Sequence, residues 1–291
     1  MESASRAWGA VGYWCGIGAT ALALSGCTTV TQKLFPDPDP VKAEAFYHQG
    51  SRYSTGAGVE QDYGLALQSY RDAARYGSVP GAYMVGMTFY TGRGAGVDYT
   101  EARRWLLRAA KHDYARAQYQ LGRLYIDGKG GNKDAAWGVR WLGMAAYQGH
   151  ARAQFAYGIA WSQGIGLPVD KVQALSWVLR ADKQGLEQAA EVTRALQKRI
   201  APSDRERAKR RAQAALVAKG AYNNRPTLLF VQQRLTEKGY QPGPIDGVMG
   251  AKTRAALATF QQDAGVASHG EIDEITLNQL RDLYFWEPLL N

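Results

Sequence analysis

Cysteine is nearly absent from this 291-residue chain, which holds only Cys15 and Cys27. A chain beginning at Cys27 has no second thiol, and an internal disulfide is then excluded. Histidine is scarce too. His48, His112, His150 and His269 are scattered without zinc-ligand spacing, so no metal and no cofactor is expected. The signatures Gly-x-Ser-x-Gly, Ser-x-x-Lys and His-Glu-x-x-His are missing, as is the Gly-Lys-Ser/Thr triplet of a phosphate loop. These absences remove the common hydrolytic and nucleotide-binding classes. Acids are in the minority, 26 against 35 bases, for a net charge of +9. Such a surplus favours an anionic partner or surface, without choosing among wall polymer, phospholipid and nucleic acid.

Compartment narrows that choice. Arg6 precedes an uncharged run from Ala7 to Gly26, the charge order of a secretory signal, although Glu2 weakens its basic start. Removing residues 1–26 deletes one base and one acid and leaves the net charge unchanged. Leu24-Ser25-Gly26-Cys27 closes the run and resembles the lipobox of bacterial lipoproteins. The resemblance implies cleavage before Cys27, lipid on its sulfur and, in Gram-negative bacteria, an outer-membrane destination. A run of about 20 apolar residues can also span a bilayer as an uncleaved anchor. Gly9, Gly12, Gly16, Gly18 and Gly26 weigh against that alternative by weakening a spanning helix.

A step of 36 residues organises the middle. Gly50, Gly86, Gly122 and Gly158 keep it, as do Gly56, Gly92, Gly128 and Gly164, and Gly58, Gly94, Gly130 and Gly166. Asp62, Asp98, Asp134 and Asp170 follow, then Ala66, Ala102, Gly138 and Ala174. An aromatic position reads Ser69, Trp105, Trp141 and Trp177, and Ala73, Ala109, Ala145 and Ala181 complete the unit. This period predicts stacked helix pairs, none of which can bury its apolar face alone. Within one unit, a helix stops at a glycine able to take the left-handed cap conformation, a turn follows, and the aspartate caps the next helix. The tryptophans are expected in the core, with an exposed binding stripe as the alternative. The motifs resemble Sel-one-like repeats, relatives of tetratricopeptide repeats, which implies protein interaction through a concave face.

Past the repeats, a fifth first helix is expected over Leu186–Ile200 and a capping helix over Ser203–Lys219. Nine bases between Arg194 and Lys219 face only Asp204 and Glu206. They form either a solvated helix face or a contact for anionic wall polymer or lipid; nucleic acid is not expected.

Leu228 to Leu280 carries the clearest ligand signal. Gly239-Tyr240, Asp246-Gly247, Gly250, Thr253-Arg254 and Phe260-Gln261 stand in an order that resembles the small three-helix peptidoglycan-binding domain of bacterial wall proteins. Helices are expected over Thr227–Lys238, over Ala251–Ala264 and from near Asp273, with Leu277, Leu280 and Tyr284 on the last. Lys252 and Arg254 stand in the first turn of the second helix, where the helix dipole disfavours cations by roughly 0.3–1 kcal/mol. An anionic ligand would reverse that. Gly247, Gly250, Lys252 and Arg254, with Tyr240 as a sugar-stacking surface, are therefore expected to border a groove, and Asp246 and Thr253 complete the candidate set. Asp246 as a turn acid and Thr253 as a local cap are the structural alternatives.

The fold expected is all-α, a helix-pair repeat solenoid followed by a small three-helix domain. The segments are a signal (1–26), a tether (27–41), four repeats (42–185), basic capping helices (186–221), the peptidoglycan-binding domain (222–285) and an apolar tail (286–291). No span is left for a catalytic domain. The reading is a non-enzymatic, lipid-anchored envelope adaptor, with peptidoglycan, a membrane and an unidentified envelope protein as partners. Recruitment or regulation of a wall hydrolase, a synthase or a polysaccharide-export machine is the alternative. The combination is also similar in architecture to periplasmic parts of some cell-pole organising proteins.

Overall fold

A computed structural model describes residues 37–214 and 224–281, which form thirteen helices and no strand. Cys27, Lys219 and the tail from Tyr284 lie outside the described residues. No helix among the described residues is long and apolar enough to cross a membrane.

Eight helices make the four repeats: α1 (Pro40–Thr55) with α2 (Tyr63–Arg75), α3 (Val79–Thr91) with α4 (Tyr99–Lys111), α5 (Ala115–Asp127) with α6 (Ala135–Tyr147), and α7 (Ala151–Gln163) with α8 (Lys171–Lys183). Each of α2, α4, α6 and α8 begins at the expected aspartate, whose carboxylate accepts from a backbone N–H of the first turn. Such a cap contributes about 1 kcal/mol. Within each pair the glycine of the first helix receives a side chain of the second: Tyr70 on Gly50, Leu106 on Gly86, Leu142 on Gly122 and Val178 on Gly158. A carbon added to any of these glycines would lie 2.7–2.9 Å from that side chain. Gly122 also meets the Gly138 carbonyl, so glycine in place of alanine at 138 brings α5 and α6 unusually close.

The later turn glycines serve the stacking between repeats. A side chain on Gly94, Gly130 or Gly166 would strike the backbone of Tyr63, Tyr99 or Ala135 in the preceding repeat. Gly58 has no repeat before it and meets no backbone there.

Trp141 and Trp177 are buried as expected. Trp105 is only half-buried and lies under the Arg108 guanidinium.

The stack ends with α9 (Glu187–Lys198) and α10 (Pro202–Gln213). The capping helix is therefore shorter than the span to Lys219. Ala214 is already extended, and Arg180 of α8 donates to the Arg211 and Ala214 carbonyls, satisfying the helix end. On α9 and α10, Arg194, Lys198, Arg199, Arg207, Lys209, Arg210 and Arg211 are exposed.

The C-terminal domain is α11 (Arg225–Glu237), α12 (Ala251–Asp263) and α13 (Glu274–Leu280). It is docked on α6, where ten of the thirteen residues are buried against five in α4. Where α4 carries Glu101, Arg104, Leu107 and Arg108, α6 has Trp137, Arg140, Gly143 and Met144. Trp137 meets Phe230 edge to face at 5.0 Å, Arg140 Nε donates to Thr227 Oγ1 at 2.9 Å, and Pro226 sits on Gly143. Asp134, besides capping α6, pairs with Arg234 at 2.8 Å, and Lys111 pairs with Glu274 at 3.0 Å. The outer face of the third repeat is thus built for the chain's own C-terminal domain.

Candidate functional site

The loop between α11 and α12 hangs on one buried side chain. Gln232 Oε1 accepts from the Asp246 and Gly247 amides at 3.1 and 2.8 Å, while its Nε2 donates to Val248 O at 3.0 Å and reaches Thr253 Oγ1 at 3.2 Å. Gln261 of α12 repeats this arrangement one loop later. Its Oε1 accepts from the His269 and Gly270 amides, and its Nε2 donates to Glu271 O and Thr276 Oγ1. Asp246 Oδ1 accepts from Val248 N as His269 Nδ1 accepts from Glu271 N. The domain is thus two copies of one device: a buried glutamine, a turn ending in a positive-φ glycine, and a threonine seven residues past the turn's first acceptor.

Neither glutamine was singled out as a hub from sequence. The signal was present, since Gln232-Gln233 precedes Asp246-Gly247 and Thr253 as Gln261-Gln262 precedes His269-Gly270 and Thr276.

The candidate residues separate into two groups. Gly247 is buried at φ +72, where a side chain would strike Arg225, and Thr253 is 2% exposed with its hydroxyl donating to Pro242 O at 2.8 Å. Asp246 is held by Gln232. These three shape the loop. Gly250, Lys252 and Arg254 are exposed around the start of α12. That helix has no side-chain cap, whereas Asn224 and Asp273 cap α11 and α13. Arg254 is 3.4 Å from Glu271 in an exposed pair, and Lys252 has no acid in range among the described residues. Tyr240 is half-buried, its ring edge-to-face with Phe260 and its hydroxyl donating to Asp263 at 2.8 Å, a bond that raises its pKa. The exposed set presents uncapped amides and two cations, a surface suited to a carboxylate.

No group of three or more histidine, cysteine or acidic side chains among the described residues is placed to hold a metal ion.

The Sel1 repeat model matches residues 45–75, 79–114, 115–150 and 151–186, and the putative peptidoglycan binding domain model matches residues 224–280. The chain is 45% identical over 53 residues to the localization factor PodJL of Caulobacter vibrioides, which covers 18% of this chain and 5% of that protein. Among solved structures it is similar to a Sel1 repeat protein from Oxalobacter formigenes, at 34% identity over 53% of this chain and 45% of that one, TM-score 0.49. It is also similar to a protective antigen present in uropathogenic Escherichia coli strains displaying an SLR fold. There the identity is 23% over 82% of this chain and 52% of that one, with a TM-score of 0.54. The chain thus spans about half of each solved neighbour and a small part of the curated relative. It carries four Sel1 repeats and, at its C-terminal end, a helical domain of the peptidoglycan-binding family.

Proposed function

We propose that this chain is a non-enzymatic adaptor of the cell envelope. Its C-terminal domain binds peptidoglycan, its repeats bind an envelope protein, and lipid on Cys27 holds it in a membrane, the outer membrane facing the periplasm. The observation that carries the reading is the uncapped start of α12 with exposed Lys252 and Arg254, in a domain of the peptidoglycan-binding family. Stem peptides of the wall offer free carboxylates to those groups, and the Tyr240 ring is the surface for a sugar. Asp246, Gly247 and Thr253 hold the loop in place for them.

Membrane and wall attachments act together. Fixing one end raises the effective concentration of the other, so a weak wall site suffices. The likeness to a localization factor supports a positioning role rather than a reaction.

Two outcomes test this. Lys252→Glu with Arg254→Glu is expected to reduce retention on purified sacculi at least about tenfold, because two attractions to carboxylate become repulsions. Undiminished pull-down would remove the groove. Cys27→Ala is expected to move the protein from the membrane to the soluble fraction on cell fractionation, since the acyl chains that anchor it are lost. Persistent membrane retention would contradict lipidation.

A further inference from the structure

The first helices of the repeats carry a second series with the 36-residue step that the tryptophans overshadow: Tyr47, Tyr83, Tyr119 and Phe155. All four are half-buried, seated on the core with part of each ring exposed. In the third and fourth repeats the second position of the first helix is an arginine, Arg116 on α5 and Arg152 on α7. The equivalent positions of the first two repeats are Glu44 and Pro80, so this cationic pair is local. Both arginines are exposed, and neither has an acid within ion-pair distance among the described residues. They stand at helix starts, where the backbone dipole works against a positive charge.

Between them lies a cavity of about 370 Å³ lined by Tyr83, Arg116, Tyr119, Gln120, His150 and Arg152, with no acid in its wall. His150 stacks on Tyr119 at 5.1 Å and caps α7, its Nδ1 accepting from Ala153 N at 3.2 Å. The neutral ring therefore carries its proton on Nε2, a donor. Burial, reinforced by Arg116 and Arg152, keeps its pKa below the usual histidine value. Gln120 Oε1 is a buried acceptor with no hydrogen-bond partner among the described residues. The wall thus offers two exposed guanidinium groups and aromatic faces. The C-terminal domain docks on α6, whereas this cavity belongs to α3, α5 and the start of α7.

We propose that this groove holds an acidic, extended peptide segment of the partner protein, its carboxylates on Arg116 and Arg152 and its apolar side chains against the Tyr83 and Tyr119 rings. This names the kind of partner that the adaptor reading leaves open, and it rests on that reading. The volume suits a few residues of chain rather than a folded surface. Paired arginines bind carboxylates through charge-assisted hydrogen bonds, and the tyrosines supply rigid contact area. The half-buried tyrosine rings offer contact surface to the side chains of such a segment, and two bases are too few for the phosphate track of a nucleic acid.

The test uses the full chain and a fluorescein-labelled octapeptide of alternating aspartate and leucine, followed by anisotropy in about 0.15 M salt, where exposed charges are screened beyond about 8 Å. Binding is expected. Arg116→Glu with Arg152→Glu should weaken it at least about tenfold. Arg194→Glu with Lys198→Glu, which changes the net charge equally on the distant face of α9, should leave it within about twofold. The asparagine–leucine peptide should not bind. Failure of the unaltered chain to bind, equal loss in both charge reversals, or tighter binding of anionic vesicles or single-stranded DNA at the same arginines would overturn the proposal. Sacculus pull-down of the Arg116/Arg152 variant should be normal. A chain that grips sacculi but not the peptide would refute the groove and leave wall binding standing.

Discussion

Gln232→Leu is expected to destabilise the C-terminal domain by about 3–5 kcal/mol and to abolish retention on sacculi, while the repeats stay folded. Gln232 is 1% exposed, so leucine fits its space. What leucine cannot do is accept from the Asp246 and Gly247 amides or donate to the Val248 carbonyl. Each backbone group left unpaired away from water costs about 1–3 kcal/mol. The loop would come off α11, and the start of α12 with Lys252 and Arg254 would lose its place. Gln233→Ala is the control. That neighbour bonds Glu237 on the surface, and its loss should cost less than about 0.5 kcal/mol. Chemical denaturation of both variants, with sacculus pull-down in parallel, reads the result. Equal destabilisation by the two would refute the hub, and lost binding at full stability would mean that Gln232 touches ligand itself.

Gly143→Leu is expected to separate the C-terminal domain from the repeats and to split one cooperative melting transition into two. The equivalent positions of α4 and α8 are Leu107 and Leu179, so a helix pair of this type tolerates leucine there. In α6 the space belongs to Pro226, and a carbon added to Gly143 would lie 2.8 Å from its ring. Overpacking of this kind costs about 1–3 kcal/mol. The contacts held in register by that approach go with it: the Trp137–Phe230 edge contact, the Arg140–Thr227 hydrogen bond and the Asp134–Arg234 pair. Differential scanning calorimetry distinguishes the outcomes, since a single transition at an unchanged midpoint would mean that the docking is not cooperative. Lys252 and Arg254 are exposed in the docked domain, so sacculus binding is expected to survive the separation. The docking would then set where the wall site points rather than whether it works.

Much of this was legible because it depends on residues near one another in the chain. The 36-residue step, the aspartate caps and the glycine stops are local chemistry, and they located eight repeat helices. The match of Gly239-Tyr240, Asp246-Gly247 and Thr253-Arg254 to a family pattern located the three C-terminal helices within a few residues. The tryptophan series was less faithful: Trp141 and Trp177 are core, while Trp105 is partly open. That difference depends on what covers the helix, which periodicity does not encode. The end of α10 at Gln213 was set by Arg180, thirty-one residues before the Arg211 carbonyl it binds.

The sequence alone determined the all-helical class, the four repeats and the C-terminal domain, because a repeated spacing of small, apolar and capping residues specifies each helix pair without reference to distant parts. Only the tertiary structure decided that α6 is buried on two faces, that Gln232 and Gln261 suspend two equivalent loops, and that Arg116, Gln120 and His150 share one cavity. Those relations join segments that are separate in the chain, and the packing of helices, rather than any local preference, brings them together.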